Sequence, residues 1–121
     1  MGDLPAAQPY DAFCAALRRL AGVPLWNACG ARPETVRRVA CCPGSGSDLI
    51  ALAAGNGADV FITGDVKYHA ALDASGLLPR ILDVGHFSLE EEMMRRFAAQ
   101  LAKELSVPVV FYPAQDPLHK E

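Results

Sequence analysis

The chain has 121 residues, of which 51% are hydrophobic and 21% are charged, and its formal net charge is −3. This size and composition are typical of one globular domain with a buried core, and they exclude a disordered chain. The negative charge gives no general attraction to phosphate backbones, so we expect no nucleic-acid partner. The arginine pairs are dispersed and form no basic run: Arg18-Arg19, Arg37-Arg38 and Arg95-Arg96.

The sequence shows no targeting or membrane segment. Its start, "MGDLPAAQ", lacks the basic and apolar regions of a signal peptide, and no run approaches the roughly 18 apolar residues of a membrane span. The four cysteines have no C-x-x-C spacing, which indicates reduced and mostly buried thiols. We therefore expect a cytoplasmic protein with no membrane partner.

The elements follow one another as short apolar runs and helical stripes. After a polar lead, residues 9–22 predict a helix whose apolar stripe contains Phe13, Ala16, Leu17 and Leu20, with Gly22 as its stop. Residues 23–30 and 35–42 read as strands, and residues 47–57 as a compact helix capped by Ser47. Strands at 58–64 and 80–85 enclose a short helix at 67–75. A long helix at 88–105, a last strand at 107–113 and a polar tail at 114–121 complete the chain.

This alternation of strands and helices predicts the fold class. Short apolar strands separated by helices are typical of βαβ units, so we expect a single α/β domain over residues 1–121. Its mostly parallel sheet would be covered by helices on both faces, because right-handed crossovers wind that way. Ligands of such sheets lie beyond the carboxyl ends of the strands. Those ends here are "CCPGSG", "ITGD" and "LDVGH", which should meet at one edge.

His86 and Glu90 are candidate metal ligands. Imidazole and carboxylate are common ligands of divalent transition metals, and a spacing of four can bring both to one ion. Ser88 and Glu91 form an S-x-x-E capping box, which predicts that the helix starts at Ser88 and leaves His86 in the preceding loop. In the alternative reading, Glu90 only complements the helix dipole and His86 is a structural loop residue.

The segment "TGDVKYH" brings three polar groups to the next strand end. Histidine side chains exchange protons near neutral pH, so His69 is a candidate for proton transfer, with Asp65 as a second candidate catalytic group. Lys67 could neutralise an anionic substrate. Each also has a structural reading: Asp65 as a helix N-cap, His69 as a surface residue and Lys67 as a solvated cation.

Three further features have both functional and structural readings. Asp73 is expected on a helix surface, whereas Asp83 is a candidate acceptor that orients the imidazole of His86. The loop "CCPGSGSD" places Gly44 and Gly46 between a strand and a helix, as in a phosphate cradle. It matches neither the Walker A motif nor G-x-G-x-x-G, and a tight turn is the structural alternative.

Residues 38–91, "RVACCPGSGSDLIALAAGNGADVFITGDVKYHAALDASGLLPRILDVGHFSLEE", closely resemble the C-terminal half of the Nif-three-like, dinuclear metal-centre proteins. These are also known as GTP cyclohydrolase 1 type 2 homologues. The order and intervals of "ITGDVKYHAALDA" and "DVGHFSLE" carry the resemblance, and Pro43 departs from a common glycine of the first loop.

The resemblance implies a site with two divalent ions, either zinc, manganese, iron or magnesium. His86 and Glu90 would be ligands, and the other histidines and an aspartate would come from an N-terminal half that this chain lacks. It also implies ring-shaped hexamers and hydrolysis at a purine nucleotide.

Two hypotheses follow for function. In the first, the chain is the C-terminal domain of a metal-dependent hydrolase of nucleotide-like or phosphorylated small molecules. His69 and Asp65 would transfer protons or orient ligands, and the chain alone would be nearly inactive, since two ligands do not close a metal site. In the second, the domain is a non-catalytic binding or assembly module whose partner surface is an edge strand or helix 88–105.

Overall fold

The computed structural model of the chain describes residues 1–118, so the last three residues of the predicted polar tail lie outside the described part. Five strands and four helices are present in this range: β1 (Gly2–Pro9), α1 (Tyr10–Ala21), β2 (Asn27–Cys29), β3 (Thr35–Ser45), α2 (Ile50–Gly55), β4 (Val60–Gly64), α3 (Tyr68–Asp73), β5 (Arg80–Asp83) and α4 (His86–Glu104). A 3-10 turn, Ser47–Leu49, precedes α2. None of the helices in residues 1–118 combines the length and apolar character that crossing a membrane requires.

The strands form one sheet in the order β1-β3-β4-β5-β2. The three central strands β3, β4 and β5 are parallel, whereas β1 and β2 are antiparallel edge strands. The helical connections α2 and α3 return the chain to the starting side of the sheet, as a parallel arrangement requires. The predicted α/β class with a mostly parallel central sheet is confirmed.

Helices cover both faces of this sheet, as predicted. Along β4 the side chains alternate, so Val60 and Ile62 belong to one core cluster and Phe61 to another. The larger cluster packs α1 and the first turn of α4 against the sheet. Its buried members include Phe13 and Leu17 of α1 and Leu89 of α4. Leu82 of β5 and Val84, which follows β5, also belong to it. The smaller cluster packs α2 against the opposite face through Ala53 and Ile50.

Two segments differ from the sequence prediction in their secondary structure. Residues 2–9, expected as a polar lead, form β1, which pairs with β3 and is anchored by an ion pair of 2.8 Å between Asp3 and Arg38. Residues 107–113, expected as a strand, are irregular and exposed, with Tyr112 90% accessible. The apolar composition of that run is strand-like, but a strand also needs a free sheet edge within reach, and composition does not supply one.

The apolar side chains of α1 and α4 are only partly buried. In α4 Leu89 is buried, whereas Met93 and Phe97, and Leu105 at the C-cap, are each about half exposed. The helix also begins two residues earlier than expected, at His86, and the Ser88 hydroxyl donates to the carbonyl of Val84 at 2.9 Å, so the predicted capping box does not form. In α1, Phe13 and Leu17 are buried, but Ala16 and Leu20 are exposed. The four cysteines are unpaired thiols, and Cys14 is the buried one.

Candidate metal centre

The ends of the three parallel strands meet at one edge, as expected, and two glycines make this possible. Gly64 ends β4 against the loop before α4, where an added Cβ would lie 2.6 Å from the backbone nitrogen of His86. Gly44, at the end of β3, has a φ of 70° and faces the first turn of α4. A Cβ there would lie 2.7 Å from Glu90 Oε1 and 3.3 Å from His86 Nε2. Only glycine permits both approaches.

Asp83 fixes the positions of the two neighbouring loops. Its Oδ2 accepts a hydrogen bond from the backbone N–H of Val66, and its Oδ1 accepts one from that of Gly85, both at 3.1 Å. The sequence predicted instead that Asp83 would orient His86, and no such contact exists among the described residues. The carboxylate of Asp83 therefore positions the two loops of the candidate site through their backbone.

Asp65 takes the place predicted for Asp83. Its Oδ2 lies 2.6 Å from Nδ1 of His86. Asp65 does not cap α3, because Lys67 stands at the N-cap position and no side-chain cap forms. Its φ of 54° is in the left-handed region, which aspartate tolerates better than most residues. A strained backbone at this point turns the carboxylate toward the imidazole.

His86 and Glu90 converge on one side of the first turn of α4. His86 Nε2 lies 3.3 Å from Glu90 Oε2. An ionised carboxylate only accepts hydrogen bonds, so Asp65 requires the proton on Nδ1. The neutral imidazole then presents its Nε2 lone pair toward the carboxylate of Glu90. Two electron-pair donors thus face each other, and either a proton or a metal cation can lie between them.

The electrostatics of this pair agree with its geometry. The pKa of His86 is raised, first by the hydrogen bond to Asp65, then by the charge of Glu90. The side chain of His86 is 49% exposed, that of Asp65 54% and that of Glu90 46%, so water and ligands reach all three. The raised pKa means that the protein attracts positive charge to Nε2 of His86.

The donor set fits part of a divalent metal site. One imidazole nitrogen and one carboxylate, with a second carboxylate supporting the imidazole, match the ligand types and outer-shell support of zinc, manganese or iron centres. Within residues 1–118, no three His, Cys, Asp or Glu side chains form a group that could hold an ion by themselves. This chain therefore presents two converging candidate ligands, and a complete site would need donors from elsewhere.

The other predicted residues follow Asp65 in the chain, on α3 and just before it. His69 is exposed on α3, with its ring edge-to-face on Tyr68 at 5.7 Å, and makes no hydrogen bond with another described side chain. It lines a small polar pocket together with Lys67. Asp73 is exposed at the end of α3, on the surface where it was expected.

The glycine loop continues β3 as far as Ser45 and packs closely against the protein, and the pairing register with β4 shifts between Cys41 and Ser45. A Cβ on Gly46 would lie 2.6 Å from Thr63 Oγ1 and 2.8 Å from the Cβ of Cys42. Thr63 is fully buried, and its hydroxyl donates to the carbonyl of Gly44 at 3.3 Å. Thr63 was not among the residues predicted from the sequence to hold this loop. The feature that could have indicated it is that Thr63 is a single hydroxyl residue inside the apolar strand "VFITG".

The fold is that of a known protein family. Residues 1–117 match the family model described as Duf34/NIF3 (NGG1p interacting factor 3), and the chain belongs to this family. The resemblance found in the sequence is therefore confirmed.

Two similar sequences are named GTP cyclohydrolase 1 type 2 homolog. The protein from Campylobacter jejuni is 34% identical over 96 residues, which cover 79% of this chain and 37% of that protein. The protein from Staphylococcus epidermidis is 34% identical over 88 residues, covering 73% of this chain and 24% of that protein. The chain thus spans about a quarter to two fifths of the length of these relatives.

Solved structures show the same relation. The Staphylococcus aureus hypothetical protein SA1388 superposes with a TM-score of 0.80 at 27% identity, covering 98% of this chain and 41% of that one. A Bacillus cereus protein related to NIF3 gives a TM-score of 0.77 at 30% identity, covering 99% of this chain and 35% of that one.

Proposed function

We propose that this chain contributes His86 and Glu90 as ligands to a dinuclear divalent-metal site, the remaining ligands coming from other polypeptide. The observation that carries the proposal is the 3.3 Å approach of His86 Nε2 to Glu90 Oε2 at an accessible strand edge. Zinc, manganese, iron or magnesium are the candidate ions. The name of the similar sequences, GTP cyclohydrolase 1 type 2 homolog, supports an activity on a nucleotide. We propose metal-dependent hydrolysis of a nucleotide-like or phosphorylated small molecule.

A bound divalent metal would lower the pKa of a coordinated water and so supply a nucleophile. The residues of this chain prepare the place for it. Asp65 accepts a hydrogen bond from the Nδ1–H group of His86 and so directs the Nε2 lone pair outward. Gly44 leaves room beside both ligands, because it has no Cβ. His69, at the neighbouring pocket, is the candidate for moving a proton to or from the substrate.

Manganese(II) titration of the chain followed by NMR tests the ligand assignment. The paramagnetic ion should selectively broaden signals near His86 and Gly44. Affinity should be low, since two ligands leave the coordination sphere open to water. His86→Ala and Glu90→Gln should each abolish the selective broadening.

Glu104→Gln provides the matched control for Glu90→Gln. Glu104 lies at the other end of α4, where its carboxylate accepts a hydrogen bond from Gln100 at 2.9 Å. The Glu104→Gln substitution removes the same charge from the same helix and should leave the broadening at His86 intact. Broadening at His86 that persists in a double His86→Ala, Glu90→Gln variant would show that these two residues are not the ligands.

The exposed apolar side of α4 favours assembly as a second candidate function. Met93, Met94, Phe97 and Leu105 are each about half exposed. The irregular segment after the helix adds Val110 and Tyr112, which are more exposed still. Exposed apolar patches of this kind are typical of protein interfaces. A homo-oligomer is the assembly that we propose.

Sedimentation equilibrium of the chain tests this second function. We expect association that weakens in a Phe97→Asp variant, because a carboxylate would be desolvated in the contact. A Lys103→Asp variant changes the charge of the same helix at an exposed residue and should have a smaller effect. A monomer at all concentrations would argue against self-assembly through α4.

A further inference from the structure

A small pocket is lined mainly by polar residues of the segments that adjoin the candidate metal site in the chain. Its volume is about 240 Å³, and its lining is Ser45, Ser47, Asp48, Lys67, His69 and Ala70. Two of these residues lie close in sequence to residues of the candidate site. Ser45 follows Gly44 and pairs with Gly64 in the sheet, and Lys67 lies two residues after Asp65.

An apolar groove of about 290 Å³ continues from this pocket. The two share Ser47, Asp48 and Ala70 as common lining residues. Beyond this junction the groove runs between α2 and α3, where its walls are mainly aliphatic side chains: Ile50, Ala51, Ala54, Ala74, Leu77 and Leu78. The combined cleft therefore has one polar end and one apolar end, as small-molecule sites commonly do.

The polar groups of this pocket have no protein partners in the described part of the chain. Lys67 forms no ion pair within 4.0 Å, not even with Asp48 of the same pocket. The Ser47 hydroxyl oxygen is shielded from solvent and makes no hydrogen bond. A shielded hydroxyl without a partner is unfavourable, so a ligand group that hydrogen-bonds to it would be stabilised there.

We propose that this cleft binds an organic phosphomonoester, with its phosphate at Lys67 and His69 and its apolar body in the groove. The inference rests on the proposed function, because it assigns the substrate of the same strand edge. Lys67 supplies a full positive charge, and His69 and the hydroxyls of Ser45 and Ser47 supply hydrogen-bond donors. This set is chemically suited to phosphate oxygens.

Asp48 marks the junction between the pocket and the groove. Its carboxylate repels a phosphate but accepts hydrogen bonds, so it suits a hydroxyl group on the body of the ligand. An Asp48→Asn change keeps the shape of the side chain and removes its charge. We expect this variant to bind inorganic phosphate more tightly than the unchanged chain, which is the opposite of the effect expected at Lys67.

Binding of inorganic phosphate and phenyl phosphate to the metal-free chain, measured by NMR titration, tests the proposal. Phenyl phosphate should bind more tightly than inorganic phosphate, because its ring enters the groove. Lys67→Ala should weaken both by about tenfold, which corresponds to about 1.4 kcal/mol. His69→Gln should weaken both by a smaller factor. Lys103→Ala, at an exposed lysine of α4 outside the cleft, removes the same charge and should change neither.

The variants also separate this inference from the metal-site proposal. A His86→Ala, Glu90→Gln chain should lose manganese binding and keep phosphate binding in the absence of metal. The inference is overturned if neither ligand binds at millimolar concentration, or if Lys67→Ala and Lys103→Ala reduce affinity equally. It is also overturned if the His86→Ala, Glu90→Gln chain loses phosphate binding while the Lys67→Ala chain keeps it.

Discussion

Substitution of Gly64 by alanine should disrupt the edge of the sheet on which the candidate metal centre is built. The added methyl carbon would lie 2.6 Å from the carbonyl carbon of Gly85 and 2.6 Å from the nitrogen of His86. Both are backbone atoms in a loop that Asp83 holds in place, so they cannot rotate away as a side chain would. Overpacking of this kind costs about 1–3 kcal/mol, and backbone contacts place this case near 3 kcal/mol.

Urea and thermal unfolding measure this cost directly. A loss of about 3 kcal/mol should lower the melting temperature of a domain of this size by roughly 10 °C. Gly55→Ala is the control, because Gly55 ends α2 with open space around its Cβ position. Alanine there should stabilise the helix by about 0.5–1 kcal/mol. Equal stabilities of the two variants would refute the close approach of β4 to the loop before α4.

Three further substitutions probe the site itself. Asp65→Asn should lower the pKa of His86, since it removes the largest cause of the raised value, and an NMR pH titration of the imidazole protons measures this. If the pKa of His86 is the same in Asp65→Asn as in the unchanged chain, the assigned hydrogen bond is wrong. In the unchanged chain, protonated His86 stabilises the fold fully at pH values below the unfolded pKa of this histidine. That stabilisation is lost as the pH rises through the raised pKa of the folded state. Asp83→Ala frees two backbone N–H groups and should cost about 1–3 kcal/mol in urea unfolding, whereas near-neutral stability would mean that water replaces the carboxylate. Gly44→Ala should cost about 1–2 kcal/mol through its positive φ and should also weaken manganese binding by displacing Glu90, an effect that calorimetric titration with the metal would detect.

The sequence by itself determined the class of fold and the edge on which the site lies. Alternating apolar strands and helices predict parallel βαβ units because short strands buried on both faces must be apolar throughout. Parallel strands end at one edge, so the glycine loop, "ITGD" and "LDVGH" had to come together there. The spacing of His86 and Glu90 predicted two neighbouring side chains, with His86 in the loop before the helix. In the structure α4 already begins at His86, and Nε2 of His86 lies 3.3 Å from Oε2 of Glu90.

Tertiary structure alone decided which carboxylate supports the imidazole. Asp65 and Asp83 are equally suitable in the sequence, but the left-handed backbone at Asp65 turns its side chain to His86, while Asp83 binds backbone N–H groups. Local patterns do not encode such a choice, because it depends on how two loops from different strands approach each other. Two other features also depend on how distant segments approach each other. Strand β1 forms because residues 2–9 reach the free edge of β3. In α4 only the first turn reaches the core, so the rest of its apolar side is exposed.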